Sequence, residues 1–192
     1  MTYLWTSKLV KEKNNTMNQF NNWNNDCENI VNEQIQLEYW ASYQYHMIWS
    51  YFDRSEVGLN NIAAFFKKNS QEERDHAEKL MSYQNTRGGK VKLNGIMSVD
   101  LLYLEDINDN TNDILSSFEK ALKMEDIVYK SLLKVHKMGE DKSDPQFCDF
   151  IEGEFLKEQV HAMNEISKYI SQLKRIDNNG YGLWSFDQNL KV

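Results

Sequence analysis

The sequence predicts an all-α fold: a four-helix bundle with a long crossover between helices 2 and 3 and a short fifth C-terminal helix. One proline and eight glycines in 192 residues leave few helix breakers. Apolar residues recur at steps of three and four through four segments, and one connection between segments is long. Hydrophobic residues make up 41% of the chain, enough for one domain with a core. We expect residues 1–24 to form a flexible extension and residues 25–192 to form the bundle domain.

The first two helices are predicted over about residues 25–52 and 59–87, each with one apolar stripe. The first stripe contains Cys27, Val31, Gln34, Glu38, Ala41, Tyr45, Ile48 and Phe52. The second contains Ile62, Phe66, Asn69, Glu73, His76 and Leu80. The turn between these helices reads DRSEVG, and the Gly88-Gly89 pair suits a left-handed cap at the end of the second.

The third and fourth helices are predicted over about residues 112–138 and 145–173. Their stripes contain Leu115, Phe118, Leu122, Glu125, Val128, Leu132 and Val135, and then Ile151, Phe155, Gln159, Ala162, Ile166, Tyr169 and Leu173. Asp144 suits an N-cap and Pro145 the first helical position. Four such segments bury their stripes most simply as a bundle. Because the loop from Lys90 to about Asp109 is long enough to run the length of the bundle, the middle pair can be parallel.

Charge and cysteine usage limit the class of protein. A net charge of −7 and a pI near 5.2 argue against a nucleic-acid surface and fit attraction of cations. Cys27 and Cys148 are far apart and outside any Cys-x-x-Cys spacing, which predicts neither a disulfide framework nor a thiolate zinc site. A reducing, cytoplasmic location is therefore expected. No apolar run approaches the roughly 20 residues that a membrane span needs. The first residues lack a secretory apolar region, and a mitochondrial presequence is the less favoured alternative.

Each stripe is interrupted near its middle by residues that are expensive to bury. These residues are Glu38, Glu73 with His76, Glu125, and Gln159. An unpaired buried carboxylate costs several kcal/mol, and neighbouring carboxylates raise one another's pKa. A bound cation removes both difficulties. For any single glutamate the alternative is a solvated position misplaced by an error in helix register, but agreement among four helices weakens that interpretation.

The spacing and the residue types indicate which metal would bind. In Glu73-x-x-His76 the two side chains lie about 60° apart around a helix, so both can face one ion. Tyr45, seven residues after Glu38, can donate a hydrogen bond to a metal ligand. Oxygen-rich ligands with a single histidine suit iron or manganese. Three carboxylates also suit two divalent ions that share a bridging glutamate.

With these residues in place, the sequence resembles the eukaryotic ferritins, and among them the heavy-chain-like type that oxidises iron. The resemblance runs from about residue 25 to 189, through QIQLEYWASYQY, YFDR, EERDHAEKLMSYQNTRGG, DPQFCDFIE and FLKEQV. It implies the ferritin-like bundle. It also implies a first iron site at Glu38, Glu73 and His76, and a second at Glu73 as bridge, Glu125 and Gln159, with Tyr45 beside them.

The resemblance implies iron storage, detoxification and a role in iron homeostasis. Two Fe(II) per subunit would be oxidised by O₂ or H₂O₂, and the Fe(III) product would be stored as a mineral inside a homo-oligomeric shell of 24 subunits. Whether a second subunit type joins the shell stays open. The resemblance also implies three-fold channels lined by Asp149 and Glu152, with Cys148 and His136 close by. Acidic residues in a first helical turn can instead simply complement the helix dipole.

Three further acidic residues fall next to the Glu73 face of the second helix. Glu72 corresponds to a transit position for iron, and Asp75 and Glu78 to positions that nucleate mineral, although exposed acidic residues are usually just solvated. Glu158-x-x-His161 looks like a second Glu-x-x-His motif but is predicted to lie out of register, with His161 on the surface.

One departure from the ferritin pattern is the segment MSVDLLYLEDINDNTND, which is longer than expected. It is interpreted as a solvated insertion around residues 101–113, with calcium or iron binding as the alternative.

Two other functions fit parts of the pattern. One is a storage or yolk-type protein with slow oxidation despite intact ligands. The other is a permanent di-iron or di-manganese enzyme related to rubrerythrin, against which the single Glu-x-x-His in register and Gln159 both count.

Overall fold

The computed structural model describes residues 23–96 and 113–191. Its helices are α1 Asn25–Phe52, α2 Asn60–Thr86, α3 Asp113–Asp141, α4 Pro145–Ile151, α5 Lys157–Ile176 and α6 Gly180–Asn189, with a π-helical turn at Glu152–Leu156 between α4 and α5. The backbone stays helical through both junctions of that turn, so α4, the turn and α5 form one long rod. No strand occurs in the described ranges, and the all-α prediction is confirmed.

Contacts between helices define their directions. Gln84, near the end of α2, donates to the carbonyl of Glu28 at the start of α1 at 3.1 Å. Tyr51, at the end of α1, donates to Asp113 at the start of α3 at 2.8 Å. Lys174, near the end of α5, pairs with Glu119 on α3. Helix α1 is therefore antiparallel to α2 and α3, and α2 and α3 run parallel, as predicted.

Local capping explains where several of the helices begin or end. The Asn24 side chain accepts the backbone N–H of Asp26 at 2.8 Å and caps α1. Asp144 accepts the N–H of Phe147 at 3.0 Å, with Pro145 in the first position of α4. Gly88 has a φ of 81°, so the predicted left-handed turn after α2 is present.

Helix α2 is capped instead by a residue that lies far along the chain. Leu59 precedes α2 and has no side-chain acceptor. The buried carboxylate of Asp187 on α6 instead accepts the N–H groups of Asn61 and Ile62, at 3.1 and 2.9 Å. The short helix α6 is thus held to the start of α2 by a polar anchor.

The π-helical turn corrects the prediction of an uninterrupted fourth α-helix. The N–H of Lys157 bonds to the carbonyl of Glu152, five residues back. The physical reason is visible in the side chains: Phe147, Ile151 and Phe155 are all buried and follow one another at steps of four. Since an α-helix repeats every 3.6 residues, a wider turn keeps Phe155 on the inner face.

Aromatic clusters fill both ends of the bundle. At one end Phe66 lies between Phe52 and Phe118, with ring centroids 5.8 and 5.1 Å away, and Phe186 of α6 packs on Phe118. At the other end Trp23 packs edge-on against Phe147. The polar side chains predicted to bind metal lie in the section between these clusters.

Within the described residues, no helix combines the length and apolar character that crossing a membrane would require. The predicted extension over residues 1–24 and the insertion around 101–113 lie almost wholly outside the described residues, and both stay predictions.

Candidate metal centre

Three metal-ligating side chains converge at the middle of the bundle. Glu38 lies midway along α1, and Glu73 and His76 lie on adjacent turns of α2. One ligand atom from each of the three side chains lies within 4.8 Å of the other two. Across residues 23–96 and 113–191, no other group of three His, Cys, Asp or Glu side chains converges in this way. Glu38 is fully buried and Glu73 is 4% exposed.

Several polar atoms in this cluster lack hydrogen-bond partners. Gln34 donates from Nε2 to Glu38 Oε1 at 2.7 Å. Glu38 Oε2, Glu73 Oε2 and Gln34 Oε1 are enclosed and accept no hydrogen bond. An unsatisfied buried polar atom costs about 1–3 kcal/mol. These side chains would therefore be unfavourable if they served only to fill the core. A cation bound among these oxygens would supply the missing partner.

Burial also perturbs the two carboxyl groups. It raises the pKa of Glu38 well above its usual range, and the neighbouring Glu73 charge raises it further. Burial likewise raises the pKa of Glu73 well above its usual range, with the charge of Glu125 as the next cause. Both groups therefore resist ionisation unless a positive charge lies beside them. A divalent cation is such a charge, and three ligand atoms are within reach of one.

Glu125, predicted as a ligand of a second ion, stands next to this group but outside it. Tyr45 donates to one carboxylate oxygen of Glu125 and Gln159 Nε2 donates to the other. Gln159 Nε2 also lies 3.1 Å from the Glu125 carbonyl. Burial raises the pKa of Glu125, while the two donors lower it. Burial and the Glu125 charge raise the pKa of Tyr45 well above its usual range, so Tyr45 stays protonated as the donor that its spacing predicts.

The three acidic residues beside Glu73 on α2 do not converge. Their partners are Lys68 for Glu72 at 3.8 Å, Gln71 for Asp75 at 2.6 Å, and Arg74 for Glu78 at 3.9 Å. Glu72 is half-buried, and burial raises its pKa. Glu72 also lines an open groove between α2 and α5, which passes Glu158, His161 and Glu165.

The residues predicted to line a channel lie near the junction of α3 with the rod of α4 and α5. His136 Nε2 lies 2.6 Å from Glu152 Oε1. Cys148 Sγ donates to the His136 carbonyl at 3.8 Å. Asp149 and Glu152 are exposed. Within one subunit, His136 pairs with Glu152, and Cys148 contacts the His136 carbonyl. Ligand atoms from these side chains do not converge as those of Glu38, Glu73 and His76 do.

Two residues at the metal centre carry no predicted role. Gln34 was recognisable only as a polar member of the α1 stripe, one helical turn before Glu38. Glu158 corrects the expectation that the Glu158-x-x-His161 motif stands apart from the site, because Glu158 Oε2 lies 3.3 Å from His76 Nε2. His161 is exposed, as expected. In the sequence, the sign that Glu158 could lie at the site is its position directly before Gln159, a predicted ligand.

Comparison with known proteins agrees with the geometry. Residues 28–176 match the family described as the ferritin-like domain. The chain is 49% identical over 169 residues to "Ferritin, chloroplastic" from Malus baccata var. xiaojinensis, an alignment that covers 88% of this chain and 66% of that protein. It is 48% identical over 165 residues to "Ferritin-2, chloroplastic" from Zea mays, covering 86% of this chain and 64% of that protein. The match to "Ferritin-3, chloroplastic" from Arabidopsis thaliana is also 48% over 165 residues, covering 86% and 62%.

The chain thus spans slightly less than two thirds of the length of these relatives. Their names contradict the predicted cytoplasmic location and point to a plastid. The prediction rested on the two widely spaced cysteines, which indicate a reducing compartment but not which one. By the extent of the matching domain and by an identity near one half, the chain belongs to the ferritin family.

Proposed function

We propose that this protein takes up Fe(II), oxidises it inside each subunit and stores the Fe(III) product. The observation that carries the proposal is the cluster of Glu38, Glu73 and His76, whose ligand atoms lie within 4.8 Å of one another and include buried oxygens without partners. Such a donor set, with oxygens in excess of one nitrogen, suits iron. The relatives' ferritin names support iron as the cargo.

The first Fe(II) is bound by Glu38, Glu73 and His76. The second is bound by Glu73 as the bridging carboxylate, with Glu125 and Gln159. The second iron-binding position is supported by the Glu125 carboxylate, which is buried next to Glu73 and accepts hydrogen bonds from Tyr45 and Gln159. Retention of every ligand favours the heavy-chain-like type of ferritin subunit.

In the oxidation, each of two Fe(II) ions gives one electron to the oxidant. With O₂ as the acceptor, two electrons and two protons give H₂O₂; with H₂O₂ as the acceptor, they give two water molecules. Within this chain, the bridging position of Glu73 keeps both ions close enough to react with one oxidant molecule. Tyr45 fixes the orientation of the Glu125 carboxylate by donating a hydrogen bond from its hydroxyl to one oxygen.

The test is oxidation of Fe(II) in air by the assembled protein, followed by near-ultraviolet absorbance. The double variant Glu73→Ala with His76→Ala is expected to lose most of the fast phase. Glu33→Ala, an exposed position on α1, is the matched control and is expected to oxidise iron as fast as wild type. Equal rates for the double variant and wild type would show that the site is wrongly assigned. Slow oxidation by wild type, with mineral still forming, would favour a storage protein of yolk type.

The assembly that we propose is a shell of 24 subunits. An exposed pair of aromatic side chains on α6, Tyr181 at 76% and Trp184 at 55%, supports burial of this helix against other subunits. Gel filtration tests the proposal: a subunit mass of 22.8 kDa predicts a particle of several hundred kilodaltons. A small oligomer would instead favour a permanent di-iron enzyme.

Iron reaches the shell interior, in this proposal, through three-fold channels lined by Asp149 and Glu152, with His136 and Cys148 beside them. The exposure of both carboxylates supports this, as does the net charge of −7 per subunit, which attracts cations. The double variant Asp149→Ala with Glu152→Ala should slow iron uptake while the shell remains intact. Unchanged uptake would argue for another route.

Beyond the metal centre, Glu72 provides the next carboxylate for iron in transit, and Asp75 and Glu78 provide sites for mineral nucleation. Partial burial of Glu72 beside the groove supports the first role. Glu72→Ala should leave the first oxidation phase intact and slow the appearance of mineral, measured by light scattering. An unchanged mineralisation rate would remove Glu72 from the route.

A further inference from the structure

His76 is held at two points, and each of its ring nitrogens faces a different carboxylate. Nδ1 lies 3.5 Å from Glu73 Oε2, on the side of the three converging ligands. Nε2 lies 3.3 Å from Glu158 Oε2, on the side of the open groove. The edge of the Phe155 ring packs against the imidazole, with centroids 5.6 Å apart. The His76 side chain is only 12% exposed, so it has little freedom to rotate.

The two nitrogens cannot play the same chemical part. A neutral imidazole carries one N–H and one lone pair, and a metal takes the nitrogen that has the lone pair. An ionised carboxylate only accepts hydrogen bonds, so it attracts whichever nitrogen carries the proton. Glu158 is half-exposed and faces Nε2, whereas the buried Glu73 Oε2 faces Nδ1.

We propose that Glu158 is a positioning residue for the iron centre. It accepts a hydrogen bond from His76 Nε2–H, fixes that tautomer, and so presents the Nδ1 lone pair to the first iron ion. The inference rests on the proposed function for the identity of the ion, but the tautomer is a property of the metal-free protein. Glu158 does not itself bind the ion.

One short stretch, in and just after the π-helical turn, reaches both halves of the site. Phe155, in the turn, packs on His76. Glu158 contacts His76, and its neighbour Gln159 donates to Glu125. Two consecutive residues of α5 therefore orient ligands from α2 and from α3. Partners of this kind are typical of metal-bound histidines, and removing one usually lowers metal affinity about 10–100-fold.

The direct test is solid-state ¹⁵N NMR of the metal-free assembled shell, labelled at histidine, at pH 8. The signals of His76 are those that disappear in His76→Ala. We expect wild type to carry the proton on Nε2 and to leave Nδ1 bare, and we expect Glu158→Ala to show a mixture of both tautomers. A proton on Nδ1 in wild type would overturn the proposal, and so would an unchanged, pure Nε2–H tautomer in Glu158→Ala.

Metal affinity provides the second readout, with Co(II) as the probe because its visible absorption reports binding without any oxidation step. Glu158→Ala should weaken the first Co(II) about 10-fold or more, and Glu158→Gln, which keeps an acceptor oxygen, should lose less. Glu154→Ala is the matched control: Glu154 is one turn earlier on the same face of the rod, is similarly exposed, and pairs with Lys79.

The outcomes separate this proposal from the function. If Glu158→Ala weakens Co(II) while its His76 tautomer stays unchanged, Glu158 is a ligand and the positioning role is wrong. If Glu158→Ala and Glu154→Ala bind Co(II) as tightly as wild type, the positioning role is also wrong. If wild type fails to oxidise Fe(II) but the NMR and Co(II) results are as expected, the proposed function fails and the role of Glu158 stands.

Discussion

Replacing Glu73 by glutamine should stabilise the protein when no metal is bound. Glu73 is 4% exposed, its Oε2 has no hydrogen-bond partner, and the carboxyl groups of Glu38 and Glu125 lie beside it. An unsatisfied buried polar atom costs about 1–3 kcal/mol. Glu73→Gln keeps the volume, removes the charge and offers an N–H to the neighbouring carboxylates. We therefore expect a gain of about 1–3 kcal/mol in the free energy of unfolding.

The expected gain depends on pH, with a defined sign. Burial raises the pKa of Glu73 above the usual value of 4.5, so the folded protein holds this proton more tightly than the unfolded chain does. The stabilisation from this proton is complete below the unfolded pKa and is lost as the pH rises through the raised pKa of the folded state. The advantage of Glu73→Gln should therefore be small in acid and should grow towards neutral pH and above.

The assay is thermal unfolding in a chelator at several pH values and one fixed scan rate. For a subunit of this size each kcal/mol moves the midpoint by about 2–4 °C, so the expected rise is roughly 2–12 °C. Adding Co(II) at about 100 times its Kd should stabilise wild type by about 2.7 kcal/mol and the variant by less. Glu33→Gln, exposed on α1, should change neither value. A metal-free Glu73→Gln midpoint at or below that of wild type at neutral pH would refute the reasoning.

Three further predictions concern the frame that holds the site. Asp187→Ala should lower stability by about 0.5–2 kcal/mol and speed amide exchange in the first turn of α2, measured by mass spectrometry. Asp187→Asn should have a smaller effect, and unchanged exchange in Asp187→Ala would contradict capping of α2 by Asp187. Asp144→Asn keeps the cap of α4 but loses the ion pair with Arg87. Because Arg87 lowers the pKa of Asp144 despite partial burial, which acts to raise it, the variant should be less stable than wild type at neutral pH, and chemical denaturation should show the difference vanishing as the pH falls below that pKa. Gly89→Ala would bring a Cβ to 2.6 Å from the Trp23 ring, so its thermal midpoint should fall by an amount equivalent to about 1–3 kcal/mol, and a wild-type midpoint would show that the ring can move aside.

The parts of the fold that local chemistry determines were predictable from the sequence. The apolar stripes predict the long helices because most of a helix's stability in a protein comes from packing its apolar face. Gly88 and Asp144 mark helix boundaries because each satisfies a backbone requirement within a few residues. Glu73 and His76 could be assigned to one face because three residues span less than one helical turn.

The features that sequence reasoning missed depend on contacts between distant residues or on a small change in helical pitch. Asp187 caps a helix that begins more than 120 positions earlier, and nothing in its neighbourhood signals that contact. The π-helical turn ends two residues before Glu158, and the contact of Glu158 with His76 joins residues 82 positions apart in the sequence. The steps of four from Phe147 to Phe155 were the available sign of that wider turn.

The cap supplied by Asp187 also has a consequence for the order in which the chain can fold during synthesis. Ile62 emerges 125 residues before the carboxylate that will bind its N–H. At about 5–20 residues per second, the ribosome needs roughly 6–25 s to make that interval. During that time the first turn of α2 must rely on water. Helix α6 therefore completes α2, which is made much earlier, and a nascent subunit gains this cap only after α6 has been translated.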